Sequence, residues 1–570
     1  SVLCVRHPGL AIEQQSRERA GGRAAIDPFQ SGGSGYRYSS VTIASFGQVV
    51  FARSMIADCA VYPKLQRDGE AIVRIDGYWT VRIMTFPFRI YLHKALLAAI
   101  YMCIGAAFAF IAAFALYLDS RADLDVWHMA DLDQEFTVDS GISSFEEYLA
   151  LEERLFRQLD ELVYGEVAAA QGVSINRYSR GSLSDPQRWS TNWNRSFELP
   201  AGSPRAAVLL LHGMSDSPYS LRQMGERLHA AGASVLGLRM PGHGTAPSGL
   251  VELTWQDMDA AMRLAIQHLS KRSPDVPLFI VGYSTGAALA VNYALAALVD
   301  PTLPRVERLV ILSPAIGVTP AAALAVWQAR LGHLLGLDKL AWSDILPEYD
   351  PFKYGSFAVN AGDVVYRLTR EIQRRLTVAR ERDLLGAFPP VLAFSSVVDA
   401  TVSPTALVEG LFAQLPANGH ELVLFDINRR SGIEPILKWD PSTMLRVLQD
   451  QRNQGYRLSL VTQADGQSTR VVQRTWQPGG TPAGDQDLAL EWPEGVYSLA
   501  HIALPFAPED PLYGGRPEGS EQGFRLGDLA LRGERGVLHV AASDMLRQRW
   551  NPFYQHVERR MLQFLMSQAQ

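Results

Sequence analysis

From residue 206 onward, short apolar runs alternate with stretches whose apolar residues recur at helical spacing. The runs Ala206 to Leu211, Ser234 to Arg239, Pro277 to Gly282, Arg308 to Ser313 and Pro390 to Ser396 have the length of strands. Helical stretches lie between most of them, around Leu221–Ala231, Gln256–Ser270 and Ala287–Leu298. The runs are continuously apolar, as strands are when helices cover both faces of a sheet. The fold class is therefore α/β, with a mostly parallel central sheet. Residues 317–386 break the alternation with an Ala/Leu-rich helical piece (Pro320 to Leu335), a loop and an amphipathic helix (Val364 to Leu376). A run of this kind between two core strands reads as a cap or lid. A last helix, about Pro552 to Ser567, is expected to pack back on the sheet.

The N-terminal third reads differently. Ala95 to Leu118 contains no charge and no proline. At 1.5 Å per residue it spans about 36 Å, enough to cross a bilayer core of about 30 Å. Arg89, His93 and Lys94 precede it, while Asp119, Asp123 and Asp125 follow with only Arg121 against them. The positive-inside rule puts the N-terminus in the cytoplasm and all that follows on the periplasmic or extracellular side. No small-x-small cleavage site follows, so 84–118 is expected to be an uncleaved transmembrane signal anchor. Upstream, 1–83 has clustered Gly and Ser, scattered Arg and no lasting periodicity. It reads as disordered or as no part of the native chain, with Met84 as the expected start.

Residues 119–200 form a linker and lead-in. A helix is expected over 143–165, opened by a capping box of Ser143 and Glu146. An extended approach follows with Trp189 and Trp193. The core is then 201–316 and 387–570, with the cap between them. Within the second part, 428–495 looks inserted. It holds a helical piece (Ser442 to Gln451), two strand-like pieces (Tyr456 to Thr462 and Ser468 to Trp476) and a Gly/Pro-rich turn.

The chemistry gathers where predicted strands end. Phe279 to Val281 run into Gly282-Tyr283-Ser284-Thr285-Gly286, and small helix formers follow. Strand, Gly-x-Ser-x-Gly and helix in that order make a nucleophile elbow, with Ser284 held on a strained turn. Attack on a carbonyl needs two N–H groups aimed at the developing oxyanion. Thr285, after the nucleophile, supplies one, and Met214, in the His212-Gly213-Met214 loop after an earlier strand, the other. His212 and His243 read as structural loop residues. Asp399 follows the strand ending at Ser396 and suits the carboxylate that orients an imidazole. Asp426 and Asp440 are other acids in this part. The bases to weigh are His420, His501, His539 and His556. His501 lies in a loop ahead of the last helix. His420 precedes the strand Glu421 to Phe425, at the end of the sheet away from the strands' carboxyl ends, where sites form in open α/β sheets. His539 falls in an apolar strand-like run and His556 in the last helix.

Composition narrows little further. A chain of 570 residues that is 47% hydrophobic can bury a large core, and a net charge of −6 gives no reason to expect nucleic acid. There is no zinc-ligand spacing, and no cofactor or metal is expected. The three cysteines, Cys4, Cys59 and Cys103, all precede the α/β part, so thiol chemistry is absent there.

Jointly, Leu209 to Ser220, Arg239 to Gly244, Gly282 to Gly286, Asp399 to Val402 and the His501 loop resemble the α/β-hydrolase fold. In detail they are similar to its monoacylglycerol lipase and lysophospholipase-like esterases. The resemblance covers roughly 200–425 and 495–568. It implies a Ser284/Asp399/His501 triad, a cap over an acyl pocket, no metal and a small-molecule or lipid ester as substrate. One departure stands out: 102 residues separate Asp399 from His501, where such enzymes use a few tens. The expected function is a membrane-anchored serine ester hydrolase. A thioesterase, peptidase or other acyl-transfer enzyme on the same triad is the alternative, and a non-catalytic binding protein the alternative of another class.

Overall fold

The computed structural model describes residues 3–4, 62–65, 70–75, 79–84, 88–169, 174–317, 337–449, 454–515, 524–527 and 539–567. The chain forms two compact units, 1–117 and 118–570.

In the first unit, Leu3–Cys4, Tyr62–Leu65, Glu70–Ile75 and Trp79–Met84 pair as a four-stranded antiparallel sheet. The sequence reading placed no elements here. The pieces are two to six residues long, too short for periodicity to accumulate, although apolar Trp79, Val81 and Ile83 do alternate with Thr80 and Arg82. Helix α1 follows, Phe88–Ser120. Its 33 residues correspond to about 50 Å, and apolar side chains such as Leu96, Phe108 and Leu116 are exposed. A stretch of that helix is long and apolar enough to cross a membrane.

The second unit opens with a short turn of helix at Val126–Met129 and α2, Phe145–Leu159, which continues as a π-helical turn through Tyr164. The cap of α2 differs from the expected one. Ser144 is the N-cap, and Glu147, not Glu146, reaches back to its N–H. Adjacent Ser143 and Ser144, each with an acid three residues on, make the motif degenerate, and Ser143 itself bonds Glu147.

The core elements are β1 (Phe197–Leu199), β2 (Ala206–Leu211), α3 (Tyr219–Ala230), β3 (Ala233–Leu238), α4 (Trp255–Arg272), β4 (Leu278–Tyr283), α5 (Thr285–Val299) and β5 (Arg308–Leu312). They continue with α6 (Val359–Glu381), β6 (Val391–Ser396), β7 (Glu421–Phe425), α7 (Pro441–Gln449), β8 (Arg457–Gln463), β9 (Arg470–Gln477), β10 (Thr481–Glu491) and α8 (Tyr554–Met566). The ten strands form one sheet in the order β10-β9-β8-β7-β6-β5-β4-β2-β3-β1. From β8 to β3 all neighbours are parallel. β1 at one edge and β9 and β10 at the other are antiparallel.

Side-chain alternation divides the interior in two. Leu209, Ile280, Ile311, Ala393 and Leu424 point to a core shared with α4, α5 and α6. Val208, Val281, Leu312, Phe394 and Phe425 point to a second core shared with α3 and α8. Both faces are sealed, as continuously apolar strands require. Of the run expected to be a cap, 318–336 lies outside the described residues. Leu368, Ile372 and Leu376 of α6 are fully buried in the first core, so this helix covers the sheet itself.

Residues 428–495 are continuous with that sheet. β8 adds parallel to β7, and β9 and β10 extend it by a meander. The sequence reading found β8 and β9 and missed β10. Pro482 and Gly484 interrupt β10, and most of it is exposed, so its pattern carried no apolar signal.

Candidate active site

Four chain segments meet at the carboxyl ends of β2, β4, β6 and β7. Ser284 sits between β4 and α5 with φ 54° and ψ −114°, a conformation side-chain-bearing residues rarely adopt. The surroundings fix it there. Its N–H donates to the Leu312 carbonyl (2.9 Å), and its own carbonyl accepts from Ala288 and Ala315 (3.2 and 3.0 Å). The flanking glycines are forced by packing. A Cβ on Gly286 would lie 2.2 Å from the Leu211 carbonyl oxygen, and one on Gly282 would lie 2.6 Å from the Ala287 Cα.

The loop after β2 closes on this turn. A Cβ on Gly213 would come within 3.2 Å of the Ser284 Cβ, so the His212-Gly213-Met214 backbone runs directly beside the serine. The Gly286 N–H is taken by the His212 carbonyl (3.1 Å). Among the turn and loop hydrogen bonds of the described residues, the N–H groups of Met214 and Thr285 are not taken. Buried backbone donors are nearly always paired, which sets these two apart. His212 is wholly structural in its contacts: one ring nitrogen meets the Gly213 carbonyl (2.9 Å) and the other accepts from the Met240 N–H (3.1 Å). Burial, the neighbouring His243 and nearby cations hold it far below the usual histidine range. His243 bonds the Pro241 carbonyl (2.8 Å).

Asp399 lies in the turn after β6. One carboxylate oxygen accepts from the Thr401 and Val402 N–H groups (2.8 and 3.0 Å). The other meets His501 Nδ1 at 2.9 Å. Burial alone would raise this carboxyl, but His501 and the two amides outweigh it and hold it below the usual carboxylate range. The bond engages Nδ1 and orients the imidazole. The Tyr283 ring packs 5.3 Å from the His501 ring, and the Tyr283 hydroxyl donates to the His501 carbonyl (3.4 Å). The residue before Ser284 thus anchors the His501 loop.

The long gap between Asp399 and His501 closes in space. Where the chain leaves β7, Ile427 pairs with Ser498. The Asn428 N–H donates to the Tyr497 carbonyl (2.7 Å), and its amide donates to Val496 (3.1 Å). The excursion through α7 and β8 to β10 therefore returns to its point of departure three residues before His501.

The other histidines are elsewhere. His420 accepts from the Val391 N–H (3.2 Å) at the amino end of β6. His556 is buried on α8. His539 is exposed in a bend, and 536–538 of the strand expected around it lie outside the described residues. Asp426 is engaged by Arg429 and the Thr462 hydroxyl (2.7 and 2.8 Å). Asp440 is exposed and bonds the Ser442 N–H.

A cavity of about 410 Å³ opens beside these groups, with Asp216, Tyr283 and Ile502 in its wall. Sequence reasoning missed the rest of its lining. Lys353, from the segment before α6, pairs with Asp216 (2.7 Å). Arg549 and Tyr513 come from the segment between His501 and α8. No local motif marks any of them. The one usable signal was position in the stretches that frame the segments of Ser284, Asp399 and His501. Among the described residues, no group of His, Cys, Asp and Glu could hold a metal ion.

A mostly parallel sheet, a serine elbow and an Asp–His pair on the loops beyond its strands define the α/β-hydrolase fold, and this chain has it. Residues 202–426 match the family model described as serine aminopeptidase, S33. Within the fold the chain is similar to lipases and esterases. It is 28% identical over 137 residues to the monoglyceride lipase of Mus musculus, covering 23% of this chain and 43% of that one. It is 32% identical over 87 residues to the thermostable monoacylglycerol lipase of Bacillus sp. (strain H-257), covering 15% of this chain and 34% of that one. The chain thus spans less than half the length of these curated relatives. A solved monoacylglycerol lipase from Paleococcus ferrophilus is 22% identical with a TM-score of 0.31, over 41% of this chain and 89% of that one.

Proposed function

We propose that this protein is a membrane-anchored serine hydrolase that cleaves carboxylic esters with a lipid-like acyl group through an acyl-enzyme. The observation that supports the reading is the 2.9 Å contact of His501 with Asp399 across 102 residues of chain, with the His501 ring packed on Tyr283, the residue before a strained Ser284. Ser284 Oγ attacks the ester carbonyl while His501 Nε2 takes its proton. The tetrahedral oxyanion is received by the N–H groups of Met214 and Thr285. His501 returns the proton to the leaving alcohol, and Asp399 stabilises the imidazolium meanwhile. Water then enters, is deprotonated by His501 and releases the acid. α1 anchors the chain, with Arg89 and Lys94 on the cytoplasmic side and the 118–570 unit outside. Anchoring keeps the site next to lipid substrates.

The family match to serine aminopeptidase, S33 favours a peptidase as the second reading, since the same residues can cleave amides. The decisive experiment is a panel of p-nitrophenyl esters, acyl thioesters and aminoacyl amides on the purified chain, with Ser284→Ala as control. Ester turnover well above amide turnover supports the proposal. Preferential amide cleavage replaces it with the peptidase. A protein that turns over none of them and resists fluorophosphonate labelling is a binding protein.

A further inference from the structure

We propose that the cavity beside Ser284 is an anion subsite, centred on Arg549, for an acyl ester that also carries a phosphate or carboxylate group. This rests on the hydrolase reading and adds the class of substrate. The cavity wall includes Tyr283, next to the nucleophile, and Ile502, next to the base. Ser284 and His501 do not themselves line it, but each is one residue away in the chain from a residue that does, so a substrate group held there can belong to the same molecule whose ester reaches Ser284.

Arg549 lines the same cavity. It is only 6% exposed. Among the described residues no carboxylate lies within ion-pair distance of it, and its Nε has no hydrogen-bond partner. One terminal nitrogen donates to the Tyr349 hydroxyl (3.2 Å) and the Asp544 carbonyl (3.4 Å), both neutral. The buried Asp350 carboxylate attracts it from beyond ion-pair distance, and a buried guanidinium without a direct ion pair is costly. A phosphate or carboxylate would supply that ion pair through paired N–H donors. Arg547 adds a second guanidinium to the wall. It donates to the Thr401 hydroxyl (3.0 Å), and it too has no carboxylate within ion-pair distance among the described residues.

The acids of the wall do not take the place of a ligand. Asp216 is paired with Lys353 at 2.7 Å. Asp350 accepts from the Tyr513 hydroxyl (2.7 Å) and from the Phe352 and Lys353 N–H groups. Asp344 and Asp544 are exposed. A hydrocarbon chain alone would leave these guanidinium groups unanswered.

The test uses the full chain in detergent and two matched pairs of esters. In one pair the anion is on the alcohol side: 1-acylglycerol against 1-acylglycerol-3-phosphate. In the other it is on the acyl side: p-nitrophenyl pentanoate against mono-p-nitrophenyl glutarate. The expected result is a kcat/KM at least about tenfold higher for the anionic member of one pair, which also tells which side the anion occupies. Arg549→Gln should shrink that ratio by about tenfold or more, chiefly through KM, and Arg549→Lys should keep more of it than Gln. The wild-type ratio stands without any variant, so a misfolded variant does not shelter the proposal. Equal or faster turnover of the neutral member in both pairs overturns the anion subsite and leaves the hydrolase reading intact. No turnover of any of the four esters, with no fluorophosphonate adduct on Ser284, overturns both.

Discussion

Ser284 holds its backbone at φ 54°, and such strain costs on the order of 1–3 kcal/mol. The cost has a use: the side chain stands clear of the sheet, facing the loop of Gly213. Ser284→Ala deletes one hydroxyl from this turn, so the fold should survive while kcat falls by a factor on the order of 10⁶. Ester assays with circular dichroism as a folding check would measure both. The two candidate bases separate at this scale too. His501→Ala should abolish turnover to a similar extent, while His420→Ala, whose ring serves the Val391 N–H at the far end of the sheet, should keep most of it. The reverse outcome would mean that the chain after Asp399 is wired differently. Gly286 tolerates no side chain, because its Cβ would meet two backbone carbonyls. Gly286→Ala should lose about 1–3 kcal/mol or more in urea unfolding, and activity with it. Much of this was legible in the sequence because each residue terminates an apolar run: Ser284 after β4, Met214 after β2, Asp399 after β6. Arg549 and Lys353 were not, since their positions depend on where long connections travel.

At the scale of elements, the lead-in before the sheet is part of the domain. Arg239, at the end of β3, is fully buried, and its guanidinium meets Glu135 and Glu152 at 3.0 and 3.1 Å. The Tyr148 hydroxyl donates to the Arg239 carbonyl (2.6 Å). Further upstream, Trp127 stacks on Tyr178 with centroids 5.1 Å apart, and His128 Nε2 meets the Ser356 hydroxyl at 2.9 Å. Arg239→Met would leave two carboxylates without their cation and should cost about 3–5 kcal/mol in urea unfolding. A soluble fragment beginning at 119 should fold, whereas one beginning at 130 should lose the Trp127 and His128 contacts and melt lower. Equal melting of the two would show that residues 119–129 contribute nothing. The sequence marked this helix correctly by its apolar spacing but not its partners, because ion pairs across 87 or 104 residues leave no local trace. The same limit applies to 428–495. Its strands β8 and β9 were readable as apolar runs, but membership of the central sheet depends on pairing with β7.

The whole molecule gathers several buried neutral histidines. Burial pushes His128, His243, His420 and His556 down to about 4. A histidine depressed in the fold adds stability above its unfolded value of about 6.5. That stability is lost as pH falls toward about 4, at roughly 1.4 kcal/mol per pH unit for each group. Thermal unfolding should therefore steepen in its pH dependence below about 6.5. His420→Gln should lessen that slope by one proton's share; an unchanged slope would mean His420 charges freely in the fold. The chain's orientation is a second question at this scale. A reporter fused after residue 570 should be active only outside the cytoplasm, and activity only inside would reverse the topology. Both questions are secondary to whether the three triad residues act as one unit. The most direct measurement is mass-spectrometric mapping of a fluorophosphonate adduct, with its rate of formation, on the wild type and on His501→Ala. The account predicts one adduct per chain, on Ser284, and a rate that falls by a factor on the order of 10³ or more without the imidazole. An adduct on another residue, or equal labelling of the two proteins, would contradict it.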